Sequence, residues 1–288
     1  MAFSKLTPPN NTTNLSNNII ISWTNSANAT SYEYCYDTTN DGTCSNWLKN
    51  NADTNATLIG LLFNTTYYWQ VRARNGEDVT VANDEVWWSF TTQPAPVKKI
   101  FNSVASQDGW VLESSETSNL GGKVDYAGTT FNVGDDATKK QYRGILSFNT
   151  GPGLPDNAVI TKVTLKIKKQ GMLGIGDPFT LFQGMLVDMK LGFFGTAASL
   201  ATSDFQLAAG KSFGPFKPVP ANGWYSFDLT PGKAIVNKLA NGSGLTQIRL
   251  RFKLDDNNNT VANYVKFYSG NYGTASLRPQ LIIEYYVP

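Results

Sequence analysis

Two segments of this 288-residue chain alternate so strictly that only an extended strand can use them. In 162–168, Val163, Leu165 and Ile167 alternate with Lys162, Thr164, Lys166 and Lys168; in 247–254, Ile248, Leu250, Phe252 and Leu254 alternate with Gln247, Arg249, Arg251 and Lys253. Successive side chains of a strand point to opposite faces, so each apolar set would line a core while its polar partners face away. A helix would spread both sets around its circumference. Composition agrees: charged residues are 16% and aromatic residues 12% of the chain, and frequent Gly, Asn and Thr cut the apolar runs into strand-sized pieces. The expectation is an all-β protein.

The length exceeds the roughly 100–200 residues of an ordinary domain, so two domains are expected. From Leu6 to Thr92, IIISWTNS, TSYEYCYD, LIGLLFNTTYYWQVRA and WWSFTT read as short strands between Asn, Gly and Asp turns. TQPAPVKK then has the Pro-spaced composition of a semi-stiff connector. The boundaries follow as a first domain over 1–93, a linker over 94–99 and a second domain over 100–288. Charge divides in the same place: residues 1–95 carry a net −4 and the remainder +6. Such asymmetry bears on partners and not on fold.

Histidine is absent. That excludes Ser-His-Asp and Cys-His catalysis, His-ligated zinc and the usual base near neutrality. Tandem aspartates sit in turn-like sequence, without the pair of carboxylates facing a cleft that glycoside hydrolysis needs. GMLGIG, 171–176, has the wrong glycine order for a dinucleotide loop, and no helix pattern follows it. No nucleophile stands beside a base, and the expectation is a protein that is not an enzyme. Cys35 and Cys44 flank the turn sequence DTTNDG, so antiparallel pairing about Thr39 and Asn40 would set them opposite each other. A disulfide there implies an oxidising compartment; two free thiols in a reducing one are the other reading. The longest apolar stretches are strand-sized, so no membrane insertion is expected. The opening MAFSKLTPP reads as the edge of a longer protein whose targeting segment lies upstream.

The first domain resembles a fibronectin type III domain. Trp23 falls at that family's strand-B tryptophan, Tyr32 and Tyr36 alternate as in its strand C, and WSFTT is similar to its last strand. Leu61, Thr65, Tyr67, Val71 and Ala73 follow the spacing of its tyrosine corner, although Phe63 stands where the family often has proline. The resemblance implies that Tyr67 buries its ring and bonds its hydroxyl to backbone at the turn. The second domain resembles the DNRLRE-type extracellular β-sandwich modules, a group that includes alginate-binding carbohydrate-binding modules. The match is carried by FNVGDDATKKQYRGILSFNT with LPDNAVITKVTLKIKK, by KKIFNSVASQDGWVLES, by GWYSFDLT and TPGKAIVNKLANG, and by the closing strands to Arg278, Pro279 and Leu281. It blurs through 170–220. Together the two resemblances imply a fibronectin type III sandwich followed by a larger jelly-roll β-sandwich with one short helix. Thr230 would cap that helix, Pro231 would open it, Ile235 and Leu239 would share a face, and Gly242 would end it.

The strands 162–168 and 247–254 each present a basic row if their apolar sets face the core. Two such rows on one sandwich repel unless they lie on different sheets or meet an anion. Arg forks onto carboxylates and Lys supplies point charge, so Lys162, Lys166, Lys168, Arg249, Arg251 and Lys253 are the candidate contacts for an acidic polysaccharide or cell-surface glycan. The resemblance implies the same ligand class, alginate- or pectate-like. Trp224 or Tyr264 would stack on sugar rings if exposed, although Trp224 reads more readily as core than as exposed. The plainer reading of both rows is a solvated face that keeps the protein soluble. Nucleic acid is not expected, because no recognition motif accompanies the charge. Asp108, Asp135, Asp136, Asp255 and Asp256 are candidate ligands for a structural calcium, the alternative being ordinary Asp/Asn turns. The clustered Tyr67, Tyr68, Trp69, Trp87 and Trp88 read as core and interface packing more than as a sugar platform. The expected setting is extracellular or cell-surface. The rival function is a structural stalk, adhesin or self-assembling filament subunit without a small ligand, and a weaker one is a fragment of a hydrolase whose catalytic domain lies elsewhere.

Overall fold

The computed structural model describes residues 2–239 and 244–288. The protein is all-β and built from sandwiched sheets. It divides into two compact units, 1–95 and 96–287.

The first unit contains β1 (Lys5–Thr7), β2 (Thr12–Leu15), β3 (Ile19–Trp23), β4 (Ser31–Asp37), β5 (Leu48–Lys49), β6 (Asn55–Leu58), β7 (Thr66–Asn75), β8 (Asp78–Val81) and β9 (Trp88–Thr92). One sheet runs β1-β3-β6 and the other β2-β9-β7-β4-β5, with β8 paired to β7. Trp23, Tyr32, Trp69, Val71 and Phe90 fill the space between them, each at most 2% exposed. Tyr67 is buried, and its hydroxyl accepts the Leu62 N–H at 2.9 Å, so the corner geometry that its spacing implied is present. The Cys35–Cys44 disulfide also forms, with Cα atoms 6.3 Å apart. It does not cross a hairpin. Cys35 faces Gln70 of β7, β4 finds its other partner in β5, and Cys44 sits in the irregular loop between them. The residues of this loop bond locally: Asp37 accepts from Thr39 N, and Asp41 from Thr43 N and Oγ1. These local Asx turns displace the hairpin that Thr39 and Asn40 would have headed.

The second unit contains β10 (Val97–Asn102), β11 (Gly109–Glu113), β12 (Gly121–Asp125), β13 (Thr130–Asp135), β14 (Gln141–Asn149), β15 (Val159–Leu173), β16 (Met185–Leu191), β17 (Lys211–Phe216), β18 (Trp224–Asp228), β19 (Leu245–Phe252), β20 (Asn263–Tyr268) and β21 (Gln280–Tyr286). β10 begins inside the stretch expected as linker. β15 joins the two sheets: its first part pairs with β21 and β18, and its last residues pair with β20 after a register shift between Lys169 and Gly171. The other sheet continues β20-β13-β14-β19-β16-β17, with β11 and β12 added beside β14. Phe131, Leu146, Phe148, Leu165, Phe227, Phe252, Phe267 and Ile283 meet in the core. Val163, Leu165 and Ile167 are fully buried, as their alternation requires, and each such side chain contributes about 1.5–3 kcal/mol.

The segment expected as a capped helix is a 3-10 helix over Thr230–Ile235. Thr230 Oγ1 accepts from Val163 N instead of capping, and Asn237 N donates to Thr246 Oγ1, so contacts to neighbouring strands take the chain out of helical register. Gly242 lies outside the described residues. A single α-helical turn forms at Pro178–Leu181, capped by Asp177, in the stretch where no pattern was legible. The glycine-rich stretch LGGKVDYAG supplies β12. A Cβ at Gly121 would stand 2.0 Å from Thr202 O, so that glycine admits the 202–205 turn against the strand.

Candidate functional site

The two basic rows lie on different sheets and have different fates. On the first, β15 puts Thr164, Lys166 and Lys168 on the face away from the core, opposite Asp228, Ser226 and Trp224 of β18 and, on the other side, Ile282 and Gln280 of β21. Lys166 Nζ lies 5.2 Å and Lys168 Nζ 5.6 Å from the Trp224 ring centroid. The indole is thus flanked by two ammonium groups at cation–π range. Both lysines are half-buried along their stems, as is Trp224, while Ser226 and Asp228 are exposed. Among the described residues neither lysine forms an ion pair. Lys162 and Lys98 extend the face, in register on either side of Glu284. Asp228 is held below the usual carboxylate range, first by hydrogen bonds from Thr230 and more weakly by Lys162. Four lysines against two carboxylates leave this face cationic.

The second row is not a surface. Gln247 and Arg249 are buried, because residues 194–210 fold over the outer side of β11, β14 and β19 and pack Phe194, Leu200 and Phe205 on Val111 and Ile145. Arg249 Nη2 sits 2.7 Å from Asp188 Oδ2, its Nη1 donates to the carbonyls of Asp204, Phe205 and Leu207, and its guanidinium stacks on Phe194. Arg251 shares the same carboxylate oxygen at 3.1 Å. Burial pushes Asp188 upward, but Arg249, Ser212 and Arg251 outweigh it and hold the carboxyl below its ordinary value. Lys253 alone is exposed, donating to Gln183 Oε1 at 3.1 Å. The expectation of an open row at Arg249 and Arg251 is therefore corrected. Alternation told which way these side chains point, but not that a loop covers that side.

Tyr264 belongs to a separate aromatic contact, against Tyr142, which in turn meets Trp110. Four of the five candidate aspartates accept from protein donors. Asp108 is fully buried and accepts from Ser103 Oγ and Gly270 N; Asp135 accepts from Asn263 N and Asn257 N; Asp136 caps its own turn through Thr138 and Lys140. Burial raises Asp108 and Asp135 to about 6 each, the latter helped by Asp256 and Asp136. Asp256 accepts from Asn258 N, and Asp255 is exposed. Among the described residues no three His, Cys, Asp or Glu side chains are grouped to hold a metal ion. Among the same residues no helix is long and apolar enough to cross a membrane.

Sequence reasoning treated Trp224 mainly as core and missed its pairing with the lysines. The signal was present in WYSFD, where Tyr225 and Phe227 alternate with Trp224 and Ser226, so a buried Phe227 forces Trp224 outward. No family model matches the chain, and no curated protein matches it in sequence.

Proposed function

We propose that the chain is a non-catalytic pair of extracellular modules, of the fibronectin type III and DNRLRE kinds, whose second unit binds acidic polysaccharide of the alginate or pectate class. The binding face is the outer side of β15 and β18. The observation that carries this reading is the Lys166–Trp224–Lys168 arrangement. A uronate ring has an apolar C–H face suited to the indole and a carboxylate suited to an ammonium at the ring's edge, and this face offers both within one side chain's reach. Lys162 extends the charge along the strand, which suits a repeating anionic polymer over a single small anion. Arg249 and Arg251 act in folding and take no part. The disulfide and the absence of histidine chemistry accord with a secreted binding module.

Affinity electrophoresis in gels containing alginate, pectate or a neutral glucan tests this. Retardation by the two polyuronates, lost in Lys166→Ala/Lys168→Ala and weakened by added salt, is expected. Equal retardation by the neutral glucan, or retention unaffected by the double substitution, contradicts it.

A further inference from the structure

The disulfide loop builds a pocket in the first unit, apart from the lysine face. On β7, Trp69, Val71 and Ala73 point into the core, so Gln70 and Arg72 lie on the outer side of the sheet. The loop between β4 and β5, pinned by Cys44, returns across that side with Trp47, whose ring lies 4.1 Å from the Arg72 guanidinium. Opposite it, Asn83, Asp84 and Glu85 take left-handed conformations in succession, at φ 56°, 49° and 67°, and bring Trp87 toward the loop. A Cβ at Gly42 would stand 4.0 Å from Trp87 Nε1. Between these walls is a pocket of about 310 Å³ lined by Trp47, Trp87, Gln70, Glu85 and Cys44. That is the lower end of the roughly 300–1,000 Å³ typical of small-molecule sites.

The two tryptophans are what mark this pocket. Trp23, Trp69 and Trp88 belong to the hydrophobic core of the unit or pack against it, whereas Trp47 and Trp87 belong to none of the described hydrophobic clusters and remain partly exposed. Their stabilising burial is incomplete, and a strained turn and a disulfide hold them in place. We infer that this pocket binds a neutral saccharide unit, whose ring stacks on Trp47 and Trp87 and whose hydroxyls meet Glu85.

Charge selects the neutral class. Arg72, paired with Glu33 at 2.6 Å, already covers one face of Trp47, and Lys5 Nζ bonds Gln70 Oε1 at 2.7 Å behind the floor, so a ligand cation would share the site with two protein cations. An anion would meet Glu85 in a unit of net −4. Gln70 Oε1 is occupied by Lys5 and Val71, and one amide N–H goes to Val86 O. Gln70 itself is only 1% exposed and closes the floor, so the exposed Glu85 carboxylate is the group that accepts from a ligand hydroxyl. This site differs in place and ligand charge from the lysine face and does not rest on it.

The test follows the indole N–H resonances of the full chain by two-dimensional NMR, with Trp47→Phe and Trp87→Phe assigning their two signals. The probes are maltohexaose, cellohexaose and mannohexaose, with tetramethylammonium and oligoguluronate as charged comparisons. At least one neutral oligosaccharide should shift both signals saturably. Its affinity should fall about tenfold or more in Trp87→Ala and stay within about twofold in Lys166→Ala/Lys168→Ala. Because the wild-type shifts need no variant, a misfolded Trp87→Ala leaves the test intact. Silence of both signals toward all three neutral probes up to about 10 mM overturns the inference. So does a response to a charged probe alone, or affinity unchanged in a folded Trp87→Ala.

Discussion

Arg249 holds Asp188 at 2.7 Å in the interior of the second unit, and through Nη1 it also gathers three carbonyls of the segment that covers it. The pair therefore ties a loop to a sheet. Replacing Arg249 leaves the buried Asp188 with only the longer Arg251 contact at 3.1 Å and leaves three carbonyls without their donor, which costs about 3–5 kcal/mol. Arg249→Ala should lower stability to urea by that amount, and the fraction that remains folded should bind polyuronate as the wild type does. Loss of binding without loss of stability would return Arg249 to the ligand site. The double replacement Arg249→Met/Asp188→Leu should recover much of the loss, because two uncharged side chains need no partner.

Cys35 and Cys44 close a loop across a separation of nine residues. Restricting so short a loop in the unfolded chain stabilises by about 2–3 kcal/mol. Cys35→Ser/Cys44→Ser should unfold earlier by that amount, and adding reductant should move the wild-type curve onto the variant's. A variant as stable as the oxidised wild type would show that the bridge constrains only the loop.

Tyr67→Phe deletes the hydroxyl that accepts the Leu62 N–H at 2.9 Å and keeps the ring against Phe90. A partly buried amide then lacks its acceptor, and the expected cost is about 1–2 kcal/mol. Thermal unfolding of the pair of proteins measures it. Unchanged stability would mean that water replaces the hydroxyl.

Asp108 gives the protein a pH dependence of defined sign. Burial raises its folded-state value to about 6, against about 3.9 in the unfolded chain. Between these values the folded state binds the extra proton, so this group's unfavourable contribution is absent below about pH 4 and grows as pH rises through 6. Asp108→Asn removes the slope. Relative to wild type, the variant should gain about 1–3 kcal/mol between pH 4 and pH 7 in urea midpoints. Parallel pH profiles for the two proteins would contradict the assignment.

The sheets were largely legible in the sequence, since Val163, Leu165 and Ile167 are the core that their spacing required. Tyr67 was legible for the same reason: a local spacing carries its own partner a few residues away. Arg249 was not. Its partner Asp188 lies in the stretch where no strand pattern stood out, and the loop that buries it is brought there by long-range packing of Phe194 and Phe205. Cys44 was legible as a disulfide partner but not in its setting, because Asp37 and Asp41 form local turns that compete with strand pairing. The lysine face was half legible: the row was evident on β15, whereas Trp224 depends on β18 pairing beside it.

The most direct measurement is calorimetric titration of oligoguluronate into the wild type and into Lys166→Ala/Lys168→Ala over a range of salt concentrations. Lys166 and Lys168, flanking Trp224 within 5.6 Å, should make wild-type binding salt-sensitive. The double variant should bind at least about tenfold more weakly, with a flatter salt dependence. Affinity that is independent of salt and unchanged by removing both lysines would contradict the account.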